Sequence, residues 1–246
     1  MIIELNRDIT NILTKTELEI IKFINENEER LSELSIVDIA FDTFSSPSTV
    51  SRAIRKCGLN GFNELRYKLT TKAKKPDIQN MGKVINKSLD EAQKVIEQIS
   101  VSTVLEIVKL IKESKRTFIF ARGLTEYVGE EFALKLQLLD YNAVFIRDPN
   151  IMVRKTRHMK TDELLILFSL GGKTEELIES AENAKLCNSP VVTCCCNGNS
   201  PLLPLSKYSI VGFKHAHKAI NEYEVSSRLP LQIISRIIID YMVSYK

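Results

Sequence analysis

The chain has 246 residues, of which 44% are hydrophobic and 26% charged, so it is long enough for one or two domains with ordinary cores. Its formal net charge of +3 is too small to indicate a partner by itself. Charged residues near the start argue against a signal peptide, and no apolar stretch approaches the roughly 20 residues that span a membrane, so we expect a soluble, cytoplasmic protein with no membrane partner.

Charge is distributed unevenly over the first third of the chain. Between Glu17 and Asp42, eight acids accompany two bases, whereas between Arg52 and Lys75 eight bases accompany one acid, Glu64. A basic stretch of this kind is typical of a surface that contacts nucleic-acid phosphates. A solvated helix face followed by linker lysines is the alternative that charge alone leaves open.

The first 76 residues are predicted to form an all-α domain. Thr14 and Glu17 make a capping-box pattern, a serine precedes Pro47 at the start of a third helix, and Gly58 ends that helix. The predicted helices cover 14–29, 34–44, 47–57 and a stretch from 62 onward. Two short helices joined by about four residues are typical of a helix-turn-helix motif, and the basic stretch favours DNA as its partner.

The third helix is predicted to be the recognition helix that enters the major groove of an operator. Arginine can bind guanine through two hydrogen bonds, and hydroxyls can reach bases or phosphates. Ser46 lies where backbone N–H groups also favour a phosphate, although for Ser46 and Thr49 simple helix capping is the alternative. The side chains expected to contact DNA are Ser46, Ser48, Thr49, Ser51, Arg52, Arg55 and Lys56.

The run KAKKP at 72–76 is interpreted as a domain edge. Residues 80–114 are helical in pattern, with a second helix over 101–111 capped by Ser102 or Thr103. The first of these helices could connect or dimerise domains, or simply pack on a core. We therefore expect a helix-turn-helix domain over 1–76, a helical connector over 77–114 and a third region over 115–246.

From Arg116 onward, short apolar runs alternate with helical segments. The predicted strands cover 117–121, 143–146, 164–170, 190–193 and 208–213. The predicted helices cover 126–139, 175–187, 200–205 and 225–245. This alternation is typical of an α/β domain in which a parallel sheet is flanked by helices.

The segment from Ser169 to Thr174 connects a predicted strand to a helix N-terminus. Such a connection leaves backbone N–H groups unpaired, and hydroxyls beside them complete an anion site that suits a phosphate ester. The residues expected to take part are Ser169, Gly171, Gly172, Lys173 and Thr174.

Both halves resemble known families. Ser45–Arg52 and Cys57–Arg66 resemble the RpiR family of bacterial regulators, and Gly123–Thr125, Phe168–Glu176 and Ser226–Gln232 resemble the sugar isomerase (SIS) domain that those regulators carry. The resemblance implies a regulator of carbohydrate metabolism whose operator binding is modulated by a sugar phosphate. It also implies a homodimer or homotetramer, operators with two-fold symmetry in the case of a dimer, and no cofactor.

Two loops depart from the SIS pattern. Related domains read Ser-x-Ser-Gly-x-Thr where this chain has Gly171 in place of the second serine, and Ala121 and Thr125 replace an expected glycine and serine. Arg122 and Lys173 could supply charge that the usual pattern lacks. The resemblance thus adds Arg122, Gly123, Thr125 and Glu224 to the expected effector site. A degenerate pocket that serves only dimerisation is the alternative.

An aldose–ketose isomerase of this fold would need a Glu or His base. The candidates are His215, His217, Glu222 and Glu224. The two histidines lie among lysines and are interpreted as part of an exposed loop, so we expect no enzymatic activity. An isomerase whose N-terminal helices only assemble it remains the alternative.

The five cysteines are Cys57, Cys187, Cys194, Cys195 and Cys196. Neighbouring residues of a strand point to opposite faces, so the triplet cannot converge on one metal ion without distortion. We expect small buried side chains in a reducing compartment, and no metal site.

Overall fold

The computed structural model describes residues 2–72, 76–216, 220 and 224–245. The chain divides into two compact units, Met1–Ser88 and Leu89–Lys246. The boundary falls within a long helix, Pro76–Gln98. Of the predicted domain edge at 72–76, residues 73–75 lie outside the described ranges.

The first unit is helical, as predicted. Its helices are α1 (Arg7–Ile12), α2 (Lys15–Glu26), α3 (Ile36–Asp42), α4 (Pro47–Lys56) and α5 (Phe62–Lys72). One core joins α2 to α5, built from side chains such as Ile21, Ile39, Val50, Ile54 and Leu65. The sequence did not predict α1, because it has six residues and buries none of them; Asn6 caps it.

The predicted helix signals are confirmed at α2 and α4. Thr14 and Glu17 form a capping box, and Ser46 caps α4 with Pro47 in its first turn. Gly58 follows α4 at φ +83°, the left-handed conformation that glycine tolerates. The second predicted helix was too long, because Ser35 caps α3 at its start.

The long helix is α6 (Pro76–Gln98), and α7 (Val101–Glu113) follows it. The predicted cap of α7 was wrong: Ser100 is the N-cap, and its hydroxyl accepts a hydrogen bond from the Thr103 N–H at 3.4 Å. Ser102 instead lies in the first turn, where its hydroxyl bonds that of Ser100 at 2.9 Å.

The second unit contains a five-stranded parallel sheet in the order β2-β1-β3-β4-β5. The strands are β1 (Arg116–Ala121), β2 (Ala143–Ile146), β3 (Glu163–Ser169), β4 (Val191–Cys195) and β5 (Tyr208–Val211). The remaining helices are α8 (Glu126–Leu138), α9 (Pro149–Thr156), α10 (Glu175–Leu186) and α11 (Leu229–Ser244). The predicted fold class, an all-α unit followed by an α/β unit, is confirmed.

Alternation along the strands separates two cores. Ile166 and Phe168 of β3 pack with residues of α7, α8 and α11, whereas Leu165 and Leu167 of the same strand pack with residues of α9 and α10. All seven residues of β3 are buried. Burial on both faces explains why the strand reads as a continuous apolar run.

Three helix predictions in this unit need correction. Residues 200–205 form only a short 3-10 turn, Leu203–Leu205, because Pro204 lacks the N–H that a helix requires. The closing helix starts at Leu229, not Val225, with Pro230 in its first turn. Helix α9 was missed although Asp148 caps it and Pro149 follows the cap, a start signal present in the sequence.

The cysteines are free thiols, and Cys194 and Cys195 are buried in β4. Burial raises the pKa of Cys194, and it raises the pKa of Cys196 to about 12. Within the described ranges, no group of three or more His, Cys, Asp or Glu side chains could hold a metal ion. No described helix is long and apolar enough to cross a lipid bilayer.

Candidate functional site

The strand order creates a crevice at one edge of the sheet. The chain leaves β1 through α8 toward β2, and it leaves β3 through α10 toward β4, so connections from two neighbouring strands diverge. Crevices of this kind, at the carboxyl ends of strands where the order reverses, are the usual ligand sites of open α/β sheets. The loops at 122–125 and 170–174 follow these two strands.

The loop after β3 is held by its own hydroxyls and amides. The buried hydroxyl of Ser169 accepts a hydrogen bond from the Gly172 N–H at 3.1 Å, and Ser200 donates to the Gly172 carbonyl at 2.8 Å. Asn197 donates to the Gly171 carbonyl at 2.9 Å. Gly172 has φ +64°, and a Cβ on it would lie 2.1 Å from the Ser200 Oγ. The loop therefore requires glycine at 172.

A cleft of about 850 Å³ lies beside these loops. It is lined by Arg122, Gly123, Leu124, Glu126, Tyr127, Arg147, Thr174, Glu224, Val225 and Arg228. Of the predicted effector residues, the structure brings together Arg122, Gly123, Thr174 and Glu224 there. The others, Thr125, Ser169, Gly171, Gly172 and Lys173, do not line this cleft.

Glu126 organises the charges at one side of the cleft. Its carboxylate accepts hydrogen bonds from the Gly123 N–H at 3.2 Å and from Arg122 Nη1 at 3.2 Å, and it pairs with Arg147 Nε at 3.0 Å. Arg147 also pairs with Glu130 at 2.7 Å. Two guanidinium groups and a backbone N–H thus converge on one carboxylate, which is the donor set that a phosphate also prefers.

Arg228 and Glu224 line another part of the cleft. Arg228 pairs with Glu224 at 2.7 Å and donates to the Thr125 hydroxyl at 3.4 Å. Burial raises the pKa of Glu224, but hydrogen bonds from Ser226 and the charge of Arg228 outweigh it and lower the pKa overall. A carboxylate with a lowered pKa is a weaker general base.

The histidine proposed as an alternative base lies elsewhere. His215 is half-buried instead of exposed: its Nε2 lies 2.7 Å from Asp90, and its backbone N–H donates to Glu91 at 2.9 Å. It does not line the cleft. The other two candidates, His217 and Glu222, lie outside the described residues.

The N-terminal end of α4 presents a cluster of exposed polar side chains. The Ser46 hydroxyl accepts from the Thr49 N–H at 3.2 Å and lies within 2.8 Å of the Ser48 and Thr49 hydroxyls. Arg52 and Arg55 are exposed one and two turns further along, and Ser51 is partly exposed. Val50, Ala53 and Ile54 form the opposite, buried face.

Lys56, predicted to contact DNA, is engaged inside the unit. Its ammonium pairs with Glu17 at 2.6 Å and donates to the Ile12 carbonyl at 2.9 Å. Burial raises the pKa of Glu17, but hydrogen bonds from Lys56 and Thr14 outweigh it and lower the pKa overall. Lys56 therefore ties α4 to α2, and its expected contact with DNA stays a prediction.

Arg147 and Arg228 were not among the predicted effector residues. Arg147 follows the end of β2 directly, so its position at the carboxyl edge of a predicted strand was the signal available. Arg228 lies in the stretch that resembles SIS domains, but nothing in the sequence indicates which residues it approaches. Both cleft positions depend on long-range folding.

Comparisons with known proteins match both units. Residues 4–76 match the helix-turn-helix domain of the rpiR family, and residues 110–235 match the SIS domain. An uncharacterised HTH-type transcriptional regulator of Clostridium perfringens is 22% identical over 88% of this chain and 83% of its own length. The 3-hexulose-6-phosphate isomerase of Methanocaldococcus jannaschii is 31% identical over 37% of this chain and 47% of its own.

Among solved structures, the Vibrio vulnificus NanR protein complexed with ManNAc-6P is similar with a TM-score of 0.61. The two chains are 22% identical, and the alignment covers 97% of this chain and 90% of that one. At this identity the similarity establishes a common fold.

Proposed function

Because the chain belongs to the rpiR family of helix-turn-helix transcription regulators with a SIS domain, we propose that a sugar phosphate controls its binding to operator DNA. The polar and basic end of α4 would read the major groove, and the switch-point cleft would bind the effector. The targets would be genes of carbohydrate metabolism, and the protein would act in the cytoplasm.

The observation that carries the effector half is the convergence of donors at the cleft. Arg122, Arg147 and the Gly123 N–H all meet the Glu126 carboxylate, and Thr174 lines the same space. A phosphate would bind there by taking over contacts that Glu126 now makes. NanR, which has the same fold, was solved with a sugar phosphate, ManNAc-6P, and this supports the ligand class.

The loop after β3 would support this site indirectly. Ser169, Gly171 and Gly172 would hold the loop, and Lys173, exposed at its surface, would add positive charge. Thr125 would orient Arg228 through its hydroxyl, and Glu224 would pair the same guanidinium. Gly171 supplies no hydroxyl where SIS domains have a second serine, so arginines would carry more of the anion binding.

On the DNA side, Arg52 and Arg55 would bind base edges, while Ser46, Ser48, Thr49 and Ser51 would bind phosphates or bases. A homodimer or homotetramer would present pairs of recognition helices to operators with two-fold symmetry. The effector would act by binding one arrangement of the protein more tightly than another, since only a difference in affinity can shift such an equilibrium.

Isomerase activity is the second candidate, favoured by the local similarity to the hexulose-phosphate isomerase. Glu224 is the described candidate base in the cleft, but its pairing with Arg228 and its lowered pKa disfavour proton abstraction. We therefore propose a regulator without catalytic activity.

One set of experiments tests both halves. The full chain is used to select binding sites from DNA duplexes of randomised sequence. A panel of sugar 6-phosphates is screened by thermal shift, with inorganic sulfate as the control anion. We expect the full chain to select a DNA sequence with two-fold symmetry. We also expect one sugar phosphate of the panel to change the affinity of the protein for that DNA sequence. If the full chain selects no DNA sequence, the proposed regulator function fails. If no sugar phosphate of the panel changes the affinity for DNA, the proposed effector control fails. Aldose–ketose turnover of any phosphate in the panel would establish isomerase activity.

A further inference from the structure

Four helices among the described residues end in the same hydrogen-bonded motif. In each, the second residue after the helix has a positive φ: Phe44 after α3, Gly58 after α4, Asp140 after α8 and Asn188 after α10. Glycine, asparagine and aspartate tolerate this left-handed conformation. Phenylalanine adopts this conformation only with strain, so α3 is the exception.

Hydrogen bonds hold Phe44 in this conformation. Its N–H donates to the Phe41 carbonyl at 3.1 Å, and the Ser45 N–H donates to the Ala40 carbonyl at 2.8 Å, which is the Schellman pattern. At φ +48°, the Cβ of Phe44 is crowded against the backbone. Glycine or asparagine at this position would keep the hydrogen bonds without that strain.

Burial does not compensate for the strain. Phe44 is 98% exposed, the largest exposed fraction among the large hydrophobic side chains that the structure describes, whereas Phe41 on the preceding turn is 81% exposed. An exposed aromatic ring contributes no packing energy, so nothing in the fold offsets the strain at this residue. Strained residues that persist at such a cost are found at binding sites, and this favours a role outside folding.

The position of Phe44 in the chain indicates what the ring contacts. It lies two residues before Ser46, the cap of α4, so it sits beside the helix end that we expect in the major groove. Phe41, by contrast, is flanked by Asp42 on a helix that also carries Asp38, and these carboxylates would repel DNA phosphates. Of the two exposed rings, that of Phe44 is therefore the better placed to contact DNA.

We propose that Phe44 is a DNA-contacting residue whose ring packs against the 5-methyl group of a thymine at the edge of each half-site. Phenylalanine is among the side chains that make apolar contacts with thymine methyl groups. The proposal rests on the proposed operator binding and adds a specificity determinant that carries no charge and no hydrogen bond.

The test compares Phe44→Gly and Phe44→Asn with Phe41→Ala as the control, all in the full chain. Each is measured on a duplex selected by the wild-type protein, and on the same duplex with single thymines replaced by uracil, which removes only the methyl group. We expect Phe44→Gly and Phe44→Asn to raise Tm while weakening binding about three- to tenfold. Phe41→Ala should leave the DNA affinity unchanged.

Replacing one thymine in each half-site should weaken wild-type binding by a similar factor and leave the Phe44→Gly affinity unchanged, because both changes remove the same contact. If the protein selects a sequence but Phe44→Gly binds it as tightly as wild type, Phe44 does not contact DNA. If Phe44→Gly and Phe41→Ala instead both disrupt self-association in sedimentation, with equal DNA affinity, the rings form a protein interface and the proposal fails. Failure to select any sequence would overturn the proposed function itself.

Discussion

The starts of α4 and α10 both carry hydroxyls, but they are built in different ways. At α4 the cap, Ser46, bonds groups within three residues of itself. At α10 the residue in the cap position, Thr174, makes no capping bond, and the loop before it depends on Ser200 and Asn197. The first arrangement is local, whereas the second is assembled from distant segments.

This difference has consequences for the two sites. A local arrangement keeps its geometry as long as one helix forms, so substitutions at those exposed side chains that do not cap the helix should change binding and leave stability unchanged. An assembled arrangement shares its residues with the core, so substitutions there should affect stability as well. Four substitutions test this contrast, from the largest expected effect to the smallest.

Gly172→Ala should have the largest effect. The new Cβ would combine a positive φ with a close approach to Ser200, and we expect a loss of about 2–5 kcal/mol in the free energy of unfolding. Denaturant unfolding followed by circular dichroism measures this. Gly171→Ala is the matched control, because no atom lies within 4 Å of its Cβ and its φ is not positive. Equal free energies of unfolding in the two variants would contradict the view that distant segments hold this loop.

Arg52→Ala should weaken operator binding by about 1–3 kcal/mol and leave the unfolding free energy unchanged. The side chain is exposed and belongs to the local arrangement. Fluorescence anisotropy with a selected duplex measures the affinity. Lys22→Ala removes an exposed charge from α2 of the same unit and should bind as wild type. A lower free energy of unfolding in Arg52→Ala would contradict the view that the polar end of α4 depends only on interactions between near neighbours.

Arg147→Ala should weaken binding of a sugar 6-phosphate by about 1 kcal/mol, because one charged donor is lost from a partly solvated site. Calorimetric titration with the sugar phosphate that gives the largest thermal shift measures this change. Arg157→Ala breaks a comparable pair with Glu179 outside the cleft and serves as the control. An unchanged affinity would remove Arg147 from the effector site.

Glu17→Gln should have the smallest effect, roughly 0.5–1 kcal/mol at neutral pH, since Lys56 is partly exposed to solvent. The folded-state pKa of Glu17 lies below its ordinary value of 4.5, so its contribution is present above that value and is lost as the pH falls through the lowered pKa. Unfolding between pH 6 and 3 should therefore depend less on pH in Glu17→Gln than in wild type. Glu19→Gln, an exposed control, should follow the wild-type curve.

Capping signals and hydrophobic periodicity predicted most of the fold, because each is encoded within a few residues. Thr14 with Glu17 marked α2, Ser46 with Pro47 marked α4, and the apolar run of β3 marked the central strand. The predicted elements lack α1, which buries no residue, and α9, although Asp148 caps it. Pro204 and Pro230 explain why two helices are shorter than the sequence predicted.

The sequence by itself determined the two architectures and the polar end of α4, since these follow from interactions between near neighbours. Only the tertiary structure decided which charged residues share a cleft. Arg147 joins Arg122 there because the parallel order of the strands brings the carboxyl ends of β1 and β2 to one edge, and Arg228 reaches the same cleft from the start of α11. The structure likewise committed Lys56 to Glu17 and left Phe44 exposed, because both outcomes depend on how the helices pack.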